Sequence, residues 1–143
     1  MIEAPPLELN QARYTLPTNQ SGNKYANKRV YRHGQWFDSI HEADRFYQLS
    51  MLQRAGQISE LRTQVPFELI PTQREPDIIG VRGGIKKGKC IEKSCVYYAD
   101  FVYKDAHGNL IVEDAKSPAT RTEAYKIKKK LMLYIHNIKI IEV

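Results

Sequence analysis

The sequence predicts one α+β domain in which a central mixed β-sheet is flanked by helices. Three observations carry that expectation. Residues 96–116 read as two β-strands joined by a short turn, two segments with helical periodicity lie at 39–55 and 123–136, and strand-like runs at 58–69 and 138–143 complete the set. The resulting order is helix, strand, strand, strand, helix, strand. A chain of 143 residues suffices for one core and is short for two. With 42% hydrophobic and 27% charged residues, composition excludes a disordered chain. No stretch reaches the roughly 20 apolar residues needed to cross a bilayer, and the first residues, Met1-Ile-Glu-Ala-Pro-Pro6, lack the pattern of a secretion signal. A cytoplasmic location with no membrane partner is expected.

Residues 1–23 mix Pro, Asn, Gln, Thr and Ser without apolar periodicity, which predicts a flexible arm preceding a domain at 24–143. Lys24 and Lys28 flank Tyr25 in a basic cluster suited either to phosphate contact or to a solvated lead-in. A small hairpin over 30–37 turns at His33-Gly34. The first helix opens on Ser39, a good N-cap. Glu42 three residues later fits a capping box, in which the glutamate reaches back to a free backbone N–H. Its apolar positions are Ile40, Ala43, Phe46, Tyr47 and Leu52, and Gly56 ends it. The strand at 58–69 contains Pro66, which implies a sheet edge or a bulge. Gln64 lies on it, either near the site or, as is commoner, as a buried amide bonded to neighbouring backbone, and it is left out of the candidate site residues.

Residues 71–95 lose periodicity and carry Arg82, Lys86, Lys87, Lys89 and Lys93 among glycines. A structureless stretch of this length is uncommon unless it binds something, so a flexible basic flap is expected. Cys90 and Cys95, spaced C-x4-C without a second pair, read as free thiols and not as a zinc knuckle. The final helix, capped by Thr120 or Thr122, should bury Ala124, Ile127, Leu131, Tyr134 and Ile135. Lys126, Lys128, Lys129 and Lys130 take its other faces. The net charge of +6 favours a polyanionic partner.

The hairpin carries the chemistry. If Lys104 pairs with Leu110 across the turn at 105–109, the same register places Asp100 opposite Asp114, with Cβ atoms roughly 4.5–5.5 Å apart. Strand alternation puts Asp114 and Lys116 on one face and Glu113 and Ala115 on the other. Two carboxylates that close repel unless one is protonated or a cation separates them, and Mg²⁺ or Mn²⁺ is the simplest such cation. An ordinary Asp114–Lys116 surface ion pair is the competing reading. Glu42, at the start of a helix beside the hairpin, is either a capping residue or a third carboxylate of the same site.

This order of elements resembles the PD-(D/E)XK nuclease superfamily, whose restriction-endonuclease-like core runs αβββαβ. Asp100 matches its isolated acid, Asp114-Ala115-Lys116 its acid-x-lysine element, and Glu42 its helical acid; Asp100 follows Ala99 where a proline is frequent. Over 24–143, Lys24-Tyr-Ala-Asn-Lys28, Gln64-Val-Pro-Phe-Glu-Leu69, Tyr98-Ala-Asp-Phe101 and Val112-Glu-Asp-Ala-Lys116 are similar to a small family of bacteriophages and prophages catalogued as a domain of unknown function. The resemblance implies a Mg²⁺- or Mn²⁺-dependent endonuclease, with Holliday-junction resolution in recombination or replication as the activity to test first and a homodimer as the state it needs. Asp100, Asp114, the Ala115 carbonyl and Glu42 would hold the metal, and Lys116 would orient water or offset charge on phosphate. Lys24, Lys28, Arg82, Lys86, Lys87, Lys89, Lys126, Lys129 and Lys130 would grip DNA. The alternatives are a non-catalytic basic DNA-binding protein and a nicking or mismatch endonuclease of the same fold.

Overall fold

The computed structural model describes residues 28–143. The expected arm at 1–23 and Lys24 lie outside the described residues. Strands β1 (Val30–Arg32) and β2 (Gln35–Phe37) form a tight antiparallel hairpin. His33 and Gly34 both have positive φ, 53° and 82°, as a two-residue turn that follows the strand twist demands. Helix α1 (Ile40–Arg54) starts on Ser39, whose hydroxyl accepts from Glu42 N at 3.1 Å. The expected reciprocal bond to Ser39 is replaced: Glu42 Oε2 accepts from Asp38 N at 3.0 Å, one residue earlier.

Strand β3 (Ser59–Ile70) leads into a stretch that was expected to lack structure and instead holds four short strands. These are β4 (Gln73–Arg74), β5 (Ile78–Ile79), β6 (Ile85–Lys86) and β7 (Cys90–Glu92), with β4 paired to β7 and β5 to β6. Composition concealed them, since pairing partners rather than apolar periodicity define such a ribbon. Strands β8 (Cys95–Lys104) and β9 (Leu110–Asp114) form the central hairpin, followed by a 3-10 turn, helix α2 (Glu123–His136) and β10 (Ile141–Glu142). The main sheet has the order β10-β9-β8-β3, mixed because β10 runs parallel to β9 while the other pairs are antiparallel. Pro66 is accommodated because β3 is an edge strand.

The hairpin register is the expected one, running from Lys104↔Leu110 to Phe101↔Glu113. Asp105 fixes it by accepting at Oδ1 from both His107 N and Asn109 N, at 2.8 and 2.9 Å. Two apolar clusters cover opposite faces of the sheet. On the α2 side Tyr97, Ala99, Val102 and Val112 pack with Tyr125 and Met132; on the α1 side Phe101 and Tyr103 pack with Leu49 and, partly buried, Leu61.

Strict alternation would keep Ala99 and Phe101 on one face, and Leu61 with Val65. Both strands instead change phase at the same level, where Gln64 takes φ 51° between the pairs Thr63↔Phe101 and Val65↔Ala99. A left-handed non-glycine residue in mid-strand costs roughly 1–3 kcal/mol, and it reverses which side chains face which helix. Gln64 and Asp100 sit at that reversal.

Helix α2 occupies its expected span, with Thr122 as N-cap and Asn137 at φ 54° as the stop. Its buried face differs from expectation: Tyr125 and Met132 are buried, whereas Ile127, Tyr134 and Ile135 are exposed. Polar anchors set the rotation. Lys128 Nζ donates to Val96 O at 2.9 Å and Lys129 Nζ to Glu142 Oε1 at 2.7 Å. On α1, Ile40 and Tyr47 are exposed and Leu49 is fully buried. Among the described residues no helix is long and apolar enough to cross a membrane.

Candidate functional site

The segment 114–116 is gripped from both sides. Ala115 N donates to Asp100 Oδ2 at 2.9 Å across the hairpin. On the other side Val143 N donates to Asp114 O at 3.0 Å and Lys116 N to Val143 O at 3.1 Å. His41 on α1 shares the Val143 carbonyl at 2.7 Å. The backbone of this acid-x-lysine element is therefore fixed by its neighbours on both edges, which orients the side chains at 114 and 116.

Asp114 is 1% exposed. Its Oδ2 accepts from the buried Tyr97 hydroxyl at 2.7 Å. Lys116 Nζ lies 2.9 Å from Oδ1, an ion pair, and no further hydrogen-bond partner completes the shell of that buried oxygen among the described residues. The Lys116 ammonium also stands 4.9 Å above the Tyr125 ring, a cation–π contact that holds it beside the acid.

Asp100 is half-buried and accepts from Gln64 Nε2 at Oδ1, 3.0 Å away. Burial, and next the adjoining Asp114 carboxylate, push its carboxyl up from 3.8 to about 8. Glu42 is buried, and its carboxyl is raised first by that burial. Glu42 and Asp100 meet through one amide: Gln64 Nε2 donates to Glu42 Oε1 at 3.1 Å as well as to Asp100. Burial first, then Asp114, raise the Tyr97 hydroxyl far above its usual range, so it stays a proton donor.

Sequence reasoning thus brings Asp100, Asp114, Ala115 and Lys116 together correctly in space, with Glu42 one amide away. Gln64 does sit near the site, on a left-handed backbone that nothing in the sequence signals; Tyr97 was not singled out by the sequence. Glu113 faces the other way. Arg45 Nε and Nη2 donate to its two carboxylate oxygens at 2.8 and 2.7 Å, and Tyr103 donates to Oε1, so Glu113 is a structural acid and not a member of the site. Among the described residues no three His, Cys, Asp or Glu side chains converge as a metal-holding group. Cys90 and Cys95 are free thiols.

The cations expected to meet DNA divide into two kinds. Lys28, Arg82, Lys86, Lys87 and Lys89 are exposed. Lys126 pairs with Glu123 at 2.6 Å and Lys129 with Glu142 at 2.7 Å, while Lys130 is exposed. Two hollows adjoin the acids, one lined by Ser39, His41 and Lys116, the other by Tyr97, Tyr125 and Lys128, and Lys116 borders both. A larger hollow lies elsewhere, between α2 and β10, lined by Ile127, Lys130, Leu133 and Lys139. It contains none of the paired carboxylates.

Fold and site together define an α+β domain whose central hairpin presents two apposed carboxylates and a lysine at one level of a mixed sheet. Residues 22–141 match the family described as protein of unknown function (DUF1064), and the chain belongs to that family. No curated protein and no solved structure matches the chain.

Proposed function

We propose that the protein is a Mg²⁺- or Mn²⁺-dependent endodeoxyribonuclease with a restriction-endonuclease-like core, acting as a homodimer on branched DNA such as four-way junctions. The observation that carries this reading is the buried Asp114 carboxylate, whose Oδ1 meets the Lys116 ammonium and has no further hydrogen-bond partner among the described residues, beside a second carboxylate whose proton affinity is raised. That donor set suits a hard, oxygen-seeking divalent cation.

Asp100 and Asp114 would hold the ion, with the Ala115 carbonyl as a further oxygen. Glu42 reaches Asp100 only through Gln64, so its contribution is to fix Gln64 and, through it, the Asp100 carboxylate. When bound, the ion supplies Lewis-acid polarisation of the scissile phosphate and a more acidic water. Tyr97 locks the Asp114 rotamer by its hydrogen bond. Lys116 sits where it can offset charge that builds on phosphate oxygens, and its backbone N–H anchors it to the Val143 carbonyl, just past β10. Lys28, Lys130 and the cations of the 71–95 ribbon supply phosphate contacts, which position DNA without reading bases.

The test is a panel of linear duplex, mismatched, flapped and four-way-junction DNA incubated with the protein and Mg²⁺. Preferential cutting of the junction supports the full reading. Cutting of linear, mismatched or flapped DNA without preference for the junction keeps the chemistry and replaces the substrate. Binding without cleavage of any member would overturn it in favour of a non-catalytic DNA-binding protein.

A further inference from the structure

The ribbon between β3 and β8 is a built arm. Glu75 N donates to Lys89 O at 2.9 Å, Gly88 N to Asp77 Oδ1 at 2.9 Å, and Arg74 Nη1 to Gly88 O at 3.2 Å. Its two legs approach so closely at Gly88 that an added Cβ would lie 1.8 Å from the Glu75 carbonyl oxygen. The tip closes through Gly80 N to Gly84 O and Gly83 N to Gly80 O, both at 2.8 Å.

What this arm displays is unusual for a solvated hairpin. Ile79, Val81 and Ile85 at the tip are 81%, 108% and 79% exposed, and they belong to neither apolar cluster of the domain. Arg82, Lys86, Lys87 and Lys89 stand among them, and residues 78–89 contain no acid. Exposed apolar side chains on a narrow two-stranded support, with four cations at the tip and the acids Glu75 and Asp77 further down the leg, match a surface that enters a nucleic-acid groove. There, apolar residues wedge between base steps while Lys and Arg neutralise the adjoining phosphates. A second copy of the chain would bring the same cations against these, which disfavours pairing of arm with arm.

We infer that the arm inserts its Ile79–Val81–Ile85 tip into the minor groove of duplex DNA and kinks it, with Arg82, Lys86, Lys87 and Lys89 on the flanking phosphates. This rests on the reading of the ligand as DNA given above. From Cys95 at the base to Ile85 is a chain distance of at most roughly 33 Å at about 3.3 Å per residue. That is about one turn of the double helix, so the kink falls within about a turn of the arm's base.

The experiment uses the full chain and a duplex carrying a fluorescence-transfer pair at its ends, in EDTA so that nothing is cut. Thermal melting first verifies that each variant keeps the fold, which is expected because the tip touches neither core. The triple variant I79S/V81S/I85S should bind at least about tenfold more weakly and lose the bend, since the apolar wedge that unstacks the base step is gone. The quadruple variant R82S/K86S/K87S/K89S should lower the slope of log affinity against log salt by about 3.6, at about 0.9 for each neutralised phosphate.

Gly88→Ala, which leaves tip and charge intact but forces the legs apart, should reproduce the loss of bending. Wild-type bending by the triple variant, or an unchanged salt slope in the quadruple variant, would overturn the inference. So would a change from dimer to monomer in the triple variant with bending intact, which would make the arm a protein contact. If the wild type cleaves DNA in Mg²⁺ while the arm variants bind and bend as it does, the arm inference alone fails. If the wild type neither binds nor cuts DNA, the nuclease reading fails with it.

Discussion

The apposed carboxylates make a quantitative demand on stability. A group whose folded proton affinity is raised stabilises the fold fully below its unfolded value, and that contribution is lost as pH rises through the folded value. For Asp100 the window runs from 3.8 to about 8. At about 1.4 kcal/mol per tenfold change in proton affinity, the rise sets an upper bound of roughly 6 kcal/mol. Solvent reaching the half-buried carboxyl lowers the realistic figure to about 2–3 kcal/mol. For a domain of this size that corresponds to roughly 10 °C in melting temperature.

In EDTA the wild type should therefore lose about that much between pH 5 and pH 8.5. Asp100→Asn keeps one of the two acceptor oxygens that serve Ala115 N and Gln64 Nε2, so it loses one hydrogen bond at a cost of about 1–3 kcal/mol that does not vary with pH, and its melting curve should be the flatter of the two over the window. Glu42 is raised in the same direction and remains in both proteins, so the difference between them isolates Asp100. The assay is differential scanning calorimetry across pH. Parallel pH profiles for the two proteins, or a wild type that gains stability toward pH 8.5, would refute the electrostatic reasoning.

Binding of Mg²⁺ at the pair must displace the proton, so below about pH 8 the apparent affinity should rise about tenfold per pH unit; calorimetric titration at pH 6 and 7 checks it, and a pH-independent affinity would place the ion elsewhere. Arg45→Met leaves the nearly buried Glu113 carboxylate uncompensated and should cost about 3–5 kcal/mol in urea unfolding, most of it recovered by adding Glu113→Gln. Gln64→Asn suits a left-handed backbone at least as well as glutamine but is one methylene too short to bridge Glu42 and Asp100. It should hold its melting temperature within about 3 °C while cleavage falls by about 10–100-fold, the usual effect of losing a group that orients ligands.

Local signals carried the parts of the fold that local physics decides. Ser39 and Thr122 announced the helix starts, and the turn at 105–109 the register of the hairpin that brings Asp100 to Asp114. The misses share a different cause. The buried face of α2 is turned by Lys128 reaching Val96 O and Lys129 reaching Glu142, contacts between elements distant in sequence, so a count of its apolar residues chose Ile127 and Tyr134 where Tyr125 and Met132 are buried. The ribbon at 73–92 is held by cross-strand backbone bonds that leave no periodic trace among glycines and lysines. The bridging role of Gln64 was not legible because it depends on a left-handed backbone in mid-strand, which no propensity for glutamine suggests. Tyr97 carries no signal in the sequence beyond a strand position; it is part of the core, and its hydroxyl ends at Asp114.

The most direct measurement is cleavage of a four-way junction in Mg²⁺ by the wild type and by Asp114→Asn, with binding of the same DNA followed in EDTA. Asparagine keeps the acceptor for the Tyr97 hydroxyl and removes the charge that holds the cation. Cleavage should fall by at least about a thousandfold, while binding stays equal or tightens because a carboxylate facing phosphate is gone. A variant that cuts as the wild type does, or a wild type that cuts nothing, would contradict the assignment of the Asp100–Asp114–Lys116 hairpin as a nuclease centre.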